Sequence, residues 1–231
     1  MNPATLYNDV YSWKNYEKEA EVLIEELKSM GIYSGSILEL ACGTGKYLSS
    51  FQGWERTGVD LCSDSLSCAR AEMKDATFVC ADMSNTGLYD TFDVILCLFG
   101  GISYLPLVDR IRALEHWRSL LKPGGVLIVE PWIEEEDIQF GKPFLFHFSC
   151  QEYAFSRIVT PKQERSSCVL DFHFLYIDTE GKRQRFYQKD VLYLQKNHVW
   201  KDLFNDNGFV LRKEIDGFLD RSIVLFFGKR N

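Results

Sequence analysis

The chain has 231 residues, of which 46% are hydrophobic and 26% charged, a balance typical of a globular protein with a full core. Its net charge of −7 and its lack of basic runs argue against non-specific binding to nucleic acid or to an anionic membrane. No apolar run approaches the roughly 18 residues of a membrane span and no leader pattern is present, so we expect a cytoplasmic protein. The seven cysteines form no C-x-x-C pair, so we expect neither a disulfide framework nor a metal site.

Strand and helix patterns alternate through the first 130 residues. The predicted strands are 36–41, 56–60, 76–80, 92–97 and 126–130. The predicted helices are 15–30, 45–51, 63–74 and 107–121, followed by a turn at 122–125. Strands that alternate with helices form βαβ crossovers, so we expect a mostly parallel sheet covered by helices on both faces.

The pattern changes after residue 131, where aromatic and polar residues alternate. The strands expected there are 144–148, 154–159, 169–177 and 185–194, with a hairpin turn at 178–181. A helix at 198–206 and strands at 209–216 and 222–228 close the pattern. We therefore predict an α/β domain from residues 1–131 and 196–231. An antiparallel β insertion, residues 132–195, is expected over the carboxyl edge of its sheet.

A glycine turn follows the first predicted strand. Within Ile37–Tyr47 an apolar strand runs into Gly43-Thr44-Gly45, and a helix is expected at once. This arrangement presents backbone N–H groups to a nucleotide-like cofactor. Asp60 ends the second strand, close to the spacing of about 20 residues at which a carboxylate binds a ribose diol. A solvated carboxylate at the strand end is the simpler alternative for Asp60.

The residues around this turn narrow the choice of cofactor. Tyr47 and Leu48 stand where a dinucleotide fingerprint needs its third glycine, and Gly45-Lys46-Tyr47 lacks the Ser/Thr of a phosphate-binding loop. Glu39, before the turn, would repel a pyrophosphate, whereas it suits a cofactor with a cationic amino-acid end. As an equal alternative, the Glu39 side chain caps the adjacent helix turn.

The run from Glu39 to Gly45, with Ala81-Asp82-Met83 and Leu121–Gly125 further on, resembles the motifs of the class I S-adenosylmethionine (SAM) methyltransferases. This resemblance implies a seven-stranded Rossmann-like sheet and SAM as cofactor. It implies that Asp60 binds the ribose, that Asp82 meets the adenine amino group and that Met83 packs on the adenine. The cofactor-binding residues that it implies are Tyr11, Glu39, Ala41, Gly43, Gly45, Asp60, Leu61, Asp82, Met83 and Leu98.

Other segments resemble the nucleotide-linked aminosugar N,N-dimethyltransferases. They are Phe99–Leu105, Val129–Trp132, Leu170–Phe174 and Arg221–Val224, with Asp9–Tyr11 similar to the opening of that subfamily. The resemblance implies methylation of the amine of a nucleotide-linked aminosugar. It also implies that Tyr11 covers the cofactor as part of a lid, although packing within a first helix is the other interpretation. The chain departs from this subfamily in two places. The segment between Tyr11 and Tyr16 is shortened, and Pro106-Leu107-Val108 has no polar side chain.

Three residues are candidates for the acceptor site. Strand alternation places His173 on one face with Asp171, where an imidazole could orient or deprotonate an amine. A polar outward face of an edge strand explains the same pattern. Tyr104 follows the fourth strand. Arg221 could bind a phosphate or a carboxylate with its forked guanidinium, or lie on the surface.

Other functions stay open at this point. One is methyl transfer to oxygen or carbon of another metabolite or a modified peptide, and another is a non-catalytic SAM-fold partner protein. A nicotinamide oxidoreductase would need the missing third glycine. Leu98-Phe99-Gly100-Gly101 is not the Asn/Asp-Pro-Pro-aromatic tetrad of nucleic-acid base methylases, so we expect a small-molecule acceptor with no nucleic-acid or membrane partner. The aromatic insertion could form a homodimer contact.

Overall fold

The computed structural model describes residues 3–165, 167–218 and 222–230. The helices are α1 (Pro3–Val10), α2 (Tyr16–Ser29), α3 (Ser63–Glu72), α4 (Leu107–Leu120) and α5 (Asn197–Asp206). The first strands are β1 (Ser36–Leu40), β2 (Glu55–Asp60), β3 (Thr77–Cys80), β4 (Phe92–Cys97) and β5 (Leu121–Val129). The later strands are β6 (Phe144–Ser149), β7 (Tyr153–Glu164), β8 (Ser167–Asp178), β9 (Arg183–Leu192), β10 (Phe209–Phe218) and β11 (Ser222–Lys229).

Seven strands form one sheet in the order β10-β11-β5-β4-β1-β2-β3. The five strands from β5 to β3 pair in parallel, and β10 and β11 add an antiparallel edge. From β1 the chain builds outward to β2 and β3 and then crosses to β4 on the other side, so the strand order reverses between β1 and β4. The predicted seven-stranded, mostly parallel α/β sheet is confirmed.

Two apolar cores cover the two faces of this sheet. Alternate residues of the central strands, such as Leu38 and Ile95, pack with α4 and α5, whereas Ile37 and Leu96 pack with α2 and α3. Every residue of β1 is buried, as expected for a parallel strand covered on both faces. Glu39 is therefore an exception that requires explanation, since a carboxylate in an otherwise apolar buried strand is costly.

The insertion forms a second, antiparallel sheet in the order β6-β7-β8-β9. The predicted hairpin turn between β8 and β9 is confirmed, with the Gly181 N–H donating to the Asp178 carbonyl at 3.0 Å. One face of this sheet, called the inner face below, buries Phe155, Phe172 and Phe174 with residues of α1. The opposite, outer face carries exposed side chains. All four strands lie within residues 132–195, the predicted insertion. The exact domain boundaries stay a prediction.

Three local features differ from the sequence-based expectations. The predicted helix at 45–51 is wrong, since the structure has only the 3-10 helix Leu48–Ser50 and Gly45 has a φ of +75°, which an α-helix excludes. The turn predicted at 122–125 lies inside β5, where pairing with β4 shifts register. A first helix was expected only as one interpretation of Tyr11, without bounds, whereas the structure has α1 at Pro3–Val10.

Among the described residues, no helix combines the length and apolarity that a membrane crossing requires.

Candidate active site

A crevice opens at the carboxyl ends of β1 and β4, where the strand order reverses. Residues 41–44 and 46–47 after β1 and 98–99 after β4 contribute its walls, and Tyr7 and Tyr16 also line it. In open α/β sheets this is the place where nucleotide-like ligands bind. The structure therefore brings the predicted residues Glu39, Ala41, Gly43 and Leu98 to one crevice.

Each of the two loops that wall the crevice contains a non-glycine residue in the left-handed backbone conformation. Ala41 and Phe99 have φ of +55° and +51°, a conformation that costs a residue with a Cβ about 1–2 kcal/mol. Gly45 avoids a collision, because a Cβ there would lie 2.5 Å from Met73 Cε. A Cβ on Gly43 (φ +54°) would meet nothing within 4 Å, so this side of the turn is open to a ligand.

Asp60 connects the glycine turn to the end of β2. Its Oδ2 accepts the Gly43 N–H at 2.7 Å and its Oδ1 accepts the Cys62 N–H at 2.8 Å. The side chain is only partly buried, and each oxygen keeps a lone pair for a further donor such as a hydroxyl. Asp60 therefore bonds to both loops at the edge of the crevice, and its ribose role stays a prediction.

Glu39 is 3% exposed and faces the crevice. Burial raises the pKa of its carboxyl well above the ordinary value, and a hydrogen bond from the Leu48 N–H acts in the opposite direction. Its Oε2 is buried and, among the described residues, has no hydrogen-bond partner. The two sequence interpretations are thus compatible, since the carboxylate caps the Leu48–Ser50 turn and also offers an oxygen to a cationic group.

Three further predicted cofactor-binding residues, of which Asp82 and Met83 were expected at the adenine, lie at the ends of the neighbouring strands β2 and β3. Leu61 is 70% exposed, and Asp82 is exposed and accepts the Ser84 N–H at 2.7 Å. Met83 is 9% exposed, and its carbonyl accepts the indole N–H of Trp117 at 2.8 Å. An exposed apolar side chain and a carboxylate on adjacent strand ends suit a heterocycle with an exocyclic amine.

Helix α1 joins the glycine turn to the insertion. Thr44 Oγ1 donates to Asn8 Oδ1 at 2.8 Å, and the Tyr153 hydroxyl donates to the Asp9 carboxylate. The Tyr11 ring lies 4.6 Å from Tyr7 and 5.1 Å, edge-on, from Phe99. Tyr11 therefore packs against two residues that line the crevice, and its role as part of a lid stays a prediction.

Sequence reasoning missed a buried charged pair beneath this cover. Lys14 and Glu19 form an ion pair with fully buried side chains, and Lys14 also donates to the Tyr47 hydroxyl at 2.8 Å. The Lys14 Nζ lies 4.4 Å from the centroid of Phe99. Both residues look like solvated positions in the sequence, and only the packing of α2 against the crevice loops reveals them.

Glu130, at the end of β5, was also missed as a site residue. It is 2% exposed, and its Oε2 accepts the Phe99 N–H at 2.7 Å. Its carbonyl accepts the Gly100 N–H at 2.9 Å. These bonds stabilise the left-handed turn that carries Phe99 into the crevice. The Glu-Pro-Trp segment was noted in the sequence, but its contact with the turn after β4 depends on strand pairing.

Tyr104 lies near the crevice on the 3-10 helix Gly101–Tyr104 and is 47% exposed. Its hydroxyl donates to Asp190 Oδ2 of β9 at 3.0 Å. Desolvation of the hydroxyl and the charge of Asp190 raise the pKa of Tyr104 above its ordinary value. The pair joins the loop after β4 to the insertion, so it stands between the cofactor side and the second sheet.

Of the other two acceptor-site candidates, the structure describes His173, which it does not bring to the crevice. His173 is exposed on the outer face, where its ring lies 4.8 Å from Tyr187, and Asp171 pairs with Lys162 at 2.5 Å. The neighbouring Phe172 and Phe174 point to the inner face instead. Arg221 lies outside the described residues.

Comparison with known proteins finds similarity to methyltransferases. A family model described as a methyltransferase domain matches residues 37–125. The chain is 33% identical over 122 residues to dTDP-3-amino-3,4,6-trideoxy-alpha-D-glucopyranose N,N-dimethyltransferase from Streptomyces venezuelae, an alignment that covers 52% of each chain. It is 29% identical over 179 residues to dTDP-3-amino-3,6-dideoxy-alpha-D-glucopyranose N,N-dimethyltransferase from Streptomyces fradiae, over 74% of this chain and 69% of that one. The matched region thus spans about half the length of the first of these relatives.

Solved structures extend the similarity to the whole chain. The crystal structure of Streptomyces venezuelae DesVI is 25% identical with a TM-score of 0.85, over 97% of this chain and 98% of that one. A SAM-bound amino pentose methyltransferase from Micromonospora echinaspora, at 22% identity and a TM-score of 0.85 over 97% and 96% of the two chains, shares the fold. The methyltransferase-domain match over residues 37–125 and the similarity of these structures support a SAM-dependent methyltransferase with S-adenosylmethionine as its cofactor.

Proposed function

We propose that the chain transfers methyl groups from SAM to the amine of a small polar acceptor, with a nucleotide-linked aminosugar as the leading acceptor. The observation that carries the methyltransferase assignment is the buried Glu39 oxygen without a partner, which faces a crevice beside the open Gly43 turn. The acceptor class is supported by the names of the relatives from Streptomyces and by the fold that 97% of this chain shares with an amino pentose methyltransferase.

The residues present fit this cofactor from end to end. Asp60 has free lone pairs for the ribose hydroxyls, and Glu39 attracts the cationic amino-acid end. Leu61, Asp82 and Met83 would hold the adenine, and Leu98 would lie beside the methionine portion. Ala41, Gly43 and Gly45 shape the turn beneath it, and Tyr11 covers it. When bound, SAM supplies a methyl group that its sulfonium has already activated for displacement.

The chain's own contribution is then mainly to position the acceptor and to exclude water. Positioning alone can supply up to about 7–11 kcal/mol when the reacting atoms are held in line. Tyr7, Tyr11 and Phe99 form the aromatic cover that limits access of water to the crevice. No nucleophilic side chain is required, because the acceptor amine is itself the nucleophile.

The amine must lose a proton around the transfer, and Tyr104 is the described candidate that lies near the crevice. Its hydroxyl can pass its proton to Asp190 Oδ2, 3.0 Å away, as it accepts one from the amine. His173 remains a competing assignment, which would require the acceptor to reach the outer face. The phosphate-binding role of Arg221 stays a proposal for a residue outside the described ranges.

We further propose that the enzyme acts in the cytoplasm and forms a homodimer through the outer face. That face exposes 67% of Leu145, 50% of Leu175 and 69% of Tyr187. Light scattering of the wild type and of Leu175→Asp tests this, with a dimer expected for the first and a monomer for the second. A monomeric wild type at micromolar concentration contradicts it.

The activity is tested with radiolabelled methyl donor and a panel of nucleotide-linked aminosugars, small amines, hydroxyl compounds, acids and peptides. We expect label in the aminosugar products, on nitrogen. Label only on oxygen or carbon would reassign the acceptor atom. A chain that binds no SAM at micromolar concentrations in calorimetry would instead be a non-catalytic member of the fold.

A further inference from the structure

Arg157 of β7 projects from the inner face of the insertion toward α1. Its guanidinium carbon lies 5.5 Å from the ring centroid of Tyr11, 5.6 Å from that of Phe146 and 5.4 Å from that of Phe172. The three rings come from three separate elements. Aromatic contacts on this scale attract a guanidinium and restrict its orientation. Arg157 is therefore held in place before any ligand arrives.

Among the described residues, none of the ion pairs includes Arg157. Its Nε is buried and has no hydrogen-bond partner in that part of the chain, and Nη1 makes only a contact of 3.5 Å with the Tyr11 hydroxyl. A partly buried guanidinium whose N–H groups lack acceptors costs free energy unless an anion pairs with it.

Arg157 also lies close to the crevice. The Tyr11 ring that contacts its guanidinium lies 5.1 Å from Phe99, which lines the crevice beside the glycine turn. One aromatic ring therefore separates the cation from the wall of the cofactor site. A substrate whose amine reaches the methyl donor can extend an anionic group of ordinary length to this cation.

We propose that Arg157 is the anion anchor of the acceptor site and binds a phosphate group of the methyl acceptor through its guanidinium fork. This inference rests on the proposed function and names the substrate group that the inner face recognises. A planar guanidinium can give two parallel N–H···O bonds to phosphate oxygens, which fixes both the distance and the direction of the bound group. The aromatic contacts to Tyr11, Phe146 and Phe172 would set the plane of that fork.

The main test compares an acceptor with and without its phosphates. The kinetics of Arg157→Gln, Arg157→Lys and the matched control Arg112→Gln are measured with a nucleotide-linked aminosugar and with the same free aminosugar. Arg112 lies on α4, away from both faces of the insertion, with its side chain 61% exposed. For Arg157→Gln we expect KM for the nucleotide-linked acceptor to rise roughly 10- to 100-fold, the effect of losing hydrogen bonds to a charged group.

The remaining readouts separate this role from a structural one. For Arg157→Gln we expect KM for the free aminosugar and Kd for SAM to change by less than about twofold, with Arg157→Lys intermediate for the phosphorylated acceptor. Arg112→Gln should behave as the wild type. An equal loss with both acceptors would show that Arg157 only packs α1 on the sheet, and would overturn the proposal.

A measurement on the wild type keeps the proposal testable if Arg157→Gln does not fold. Thymidine diphosphate and thymidine are compared as competitors of the acceptor in the presence of SAM. We expect the diphosphate to bind at least roughly 10-fold more tightly, since thymidine lacks the charged group. Equal binding overturns the anion anchor while leaving methyl transfer intact, whereas loss of SAM binding itself would defeat the proposed function.

Discussion

The cofactor side and the acceptor side of the crevice hold their polar groups in different ways. On the cofactor side, Asp60, Glu39 and Glu130 each accept a backbone N–H from a loop that follows a parallel strand. On the acceptor side, the contacts are between long side chains of separate elements, as in Tyr104 with Asp190 and Arg157 with Tyr11. Backbone bonds fix a loop, whereas side-chain pairs can rearrange. We therefore expect single changes to cost affinity on the first side and mainly turnover or selectivity on the second.

The largest effect is expected for Asp60→Ala. The change removes hydrogen bonds to the cofactor ribose and also the bond of 2.7 Å that holds the Gly43 N–H. Hydrogen bonds to charged groups contribute about 1.5–3 kcal/mol each, so the Kd for SAM should rise roughly 100-fold. Calorimetry measures this, with Asp64→Ala, an exposed acid of α3, as the control. A variant that binds SAM like the wild type contradicts the ribose role.

Glu130→Ala should have the next largest effect. It leaves the Phe99 N–H without its acceptor at 2.7 Å, and Phe99 already has a strained φ of +51°. The loss of a buried partner costs about 1–3 kcal/mol, so we expect SAM affinity to fall roughly 10- to 50-fold. Glu130→Gln keeps an oxygen acceptor and should recover most of that loss. If the Gln and Ala variants bind SAM equally weakly, the charge and not the hydrogen bond is what matters.

Glu39 should make SAM binding depend on pH. Burial raises the pKa of Glu39 well above its ordinary value, which extends the protonated form of the carboxyl to higher pH. Only the ionised carboxylate attracts an ammonium group, so affinity should rise as pH rises through this raised pKa. Glu39→Gln should weaken binding roughly 10-fold and remove the dependence. The difference between variant and wild type cancels the titration of SAM itself, and parallel pH profiles would contradict the assignment.

The Glu39 carboxyl should also make the stability of the ligand-free protein depend on pH. Stability should fall as pH rises, whereas affinity for SAM should rise. A carboxyl whose pKa is higher in the folded than in the unfolded chain binds its proton more tightly when folded. The free energy of unfolding should therefore fall as pH rises from about 4.5 through the raised pKa. Thermal melts of the ligand-free Glu39→Gln variant should lack this decrease, and a wild-type melting temperature that rises over the same interval would contradict it.

The same contrast explains how much could be predicted from the sequence. Asp60 and the glycine turn were predictable because a strand, a turn and a carboxylate at a set spacing are local features. Glu130 and Lys14 were not, because their partner Phe99 is far away in the chain and is reached only through strand order and helix packing. The helix at 45–51 was mispredicted because left-handed glycines break a pattern that otherwise reads as helical.

The acceptor side shows the limit of strand alternation. Alternation correctly grouped Asp171 and His173 on one face, but only the packing of α1 decides which face of the sheet is inner. The inner face belongs to Phe172 and Phe174, so the imidazole lies on the outer side. Strand alternation predicts which side chains of β8 share a face of the sheet, but it does not predict which of the two faces lies toward the crevice.

The smallest predicted effect compares the two candidates for handling the amine proton. Tyr104→Phe removes the hydroxyl that donates to Asp190 at 3.0 Å but keeps the ring, so kcat should fall roughly 10-fold, toward the lower end of general acid–base effects, while the Kd for SAM stays unchanged. His173→Ala should leave kcat within about twofold of the wild type, because the ring lies on the outer face. The pH profile of kcat decides between them. A loss of its acidic limb in His173→Ala, with an unaffected Tyr104→Phe, would reverse the assignment and require the acceptor to bind on the outer face of the insertion.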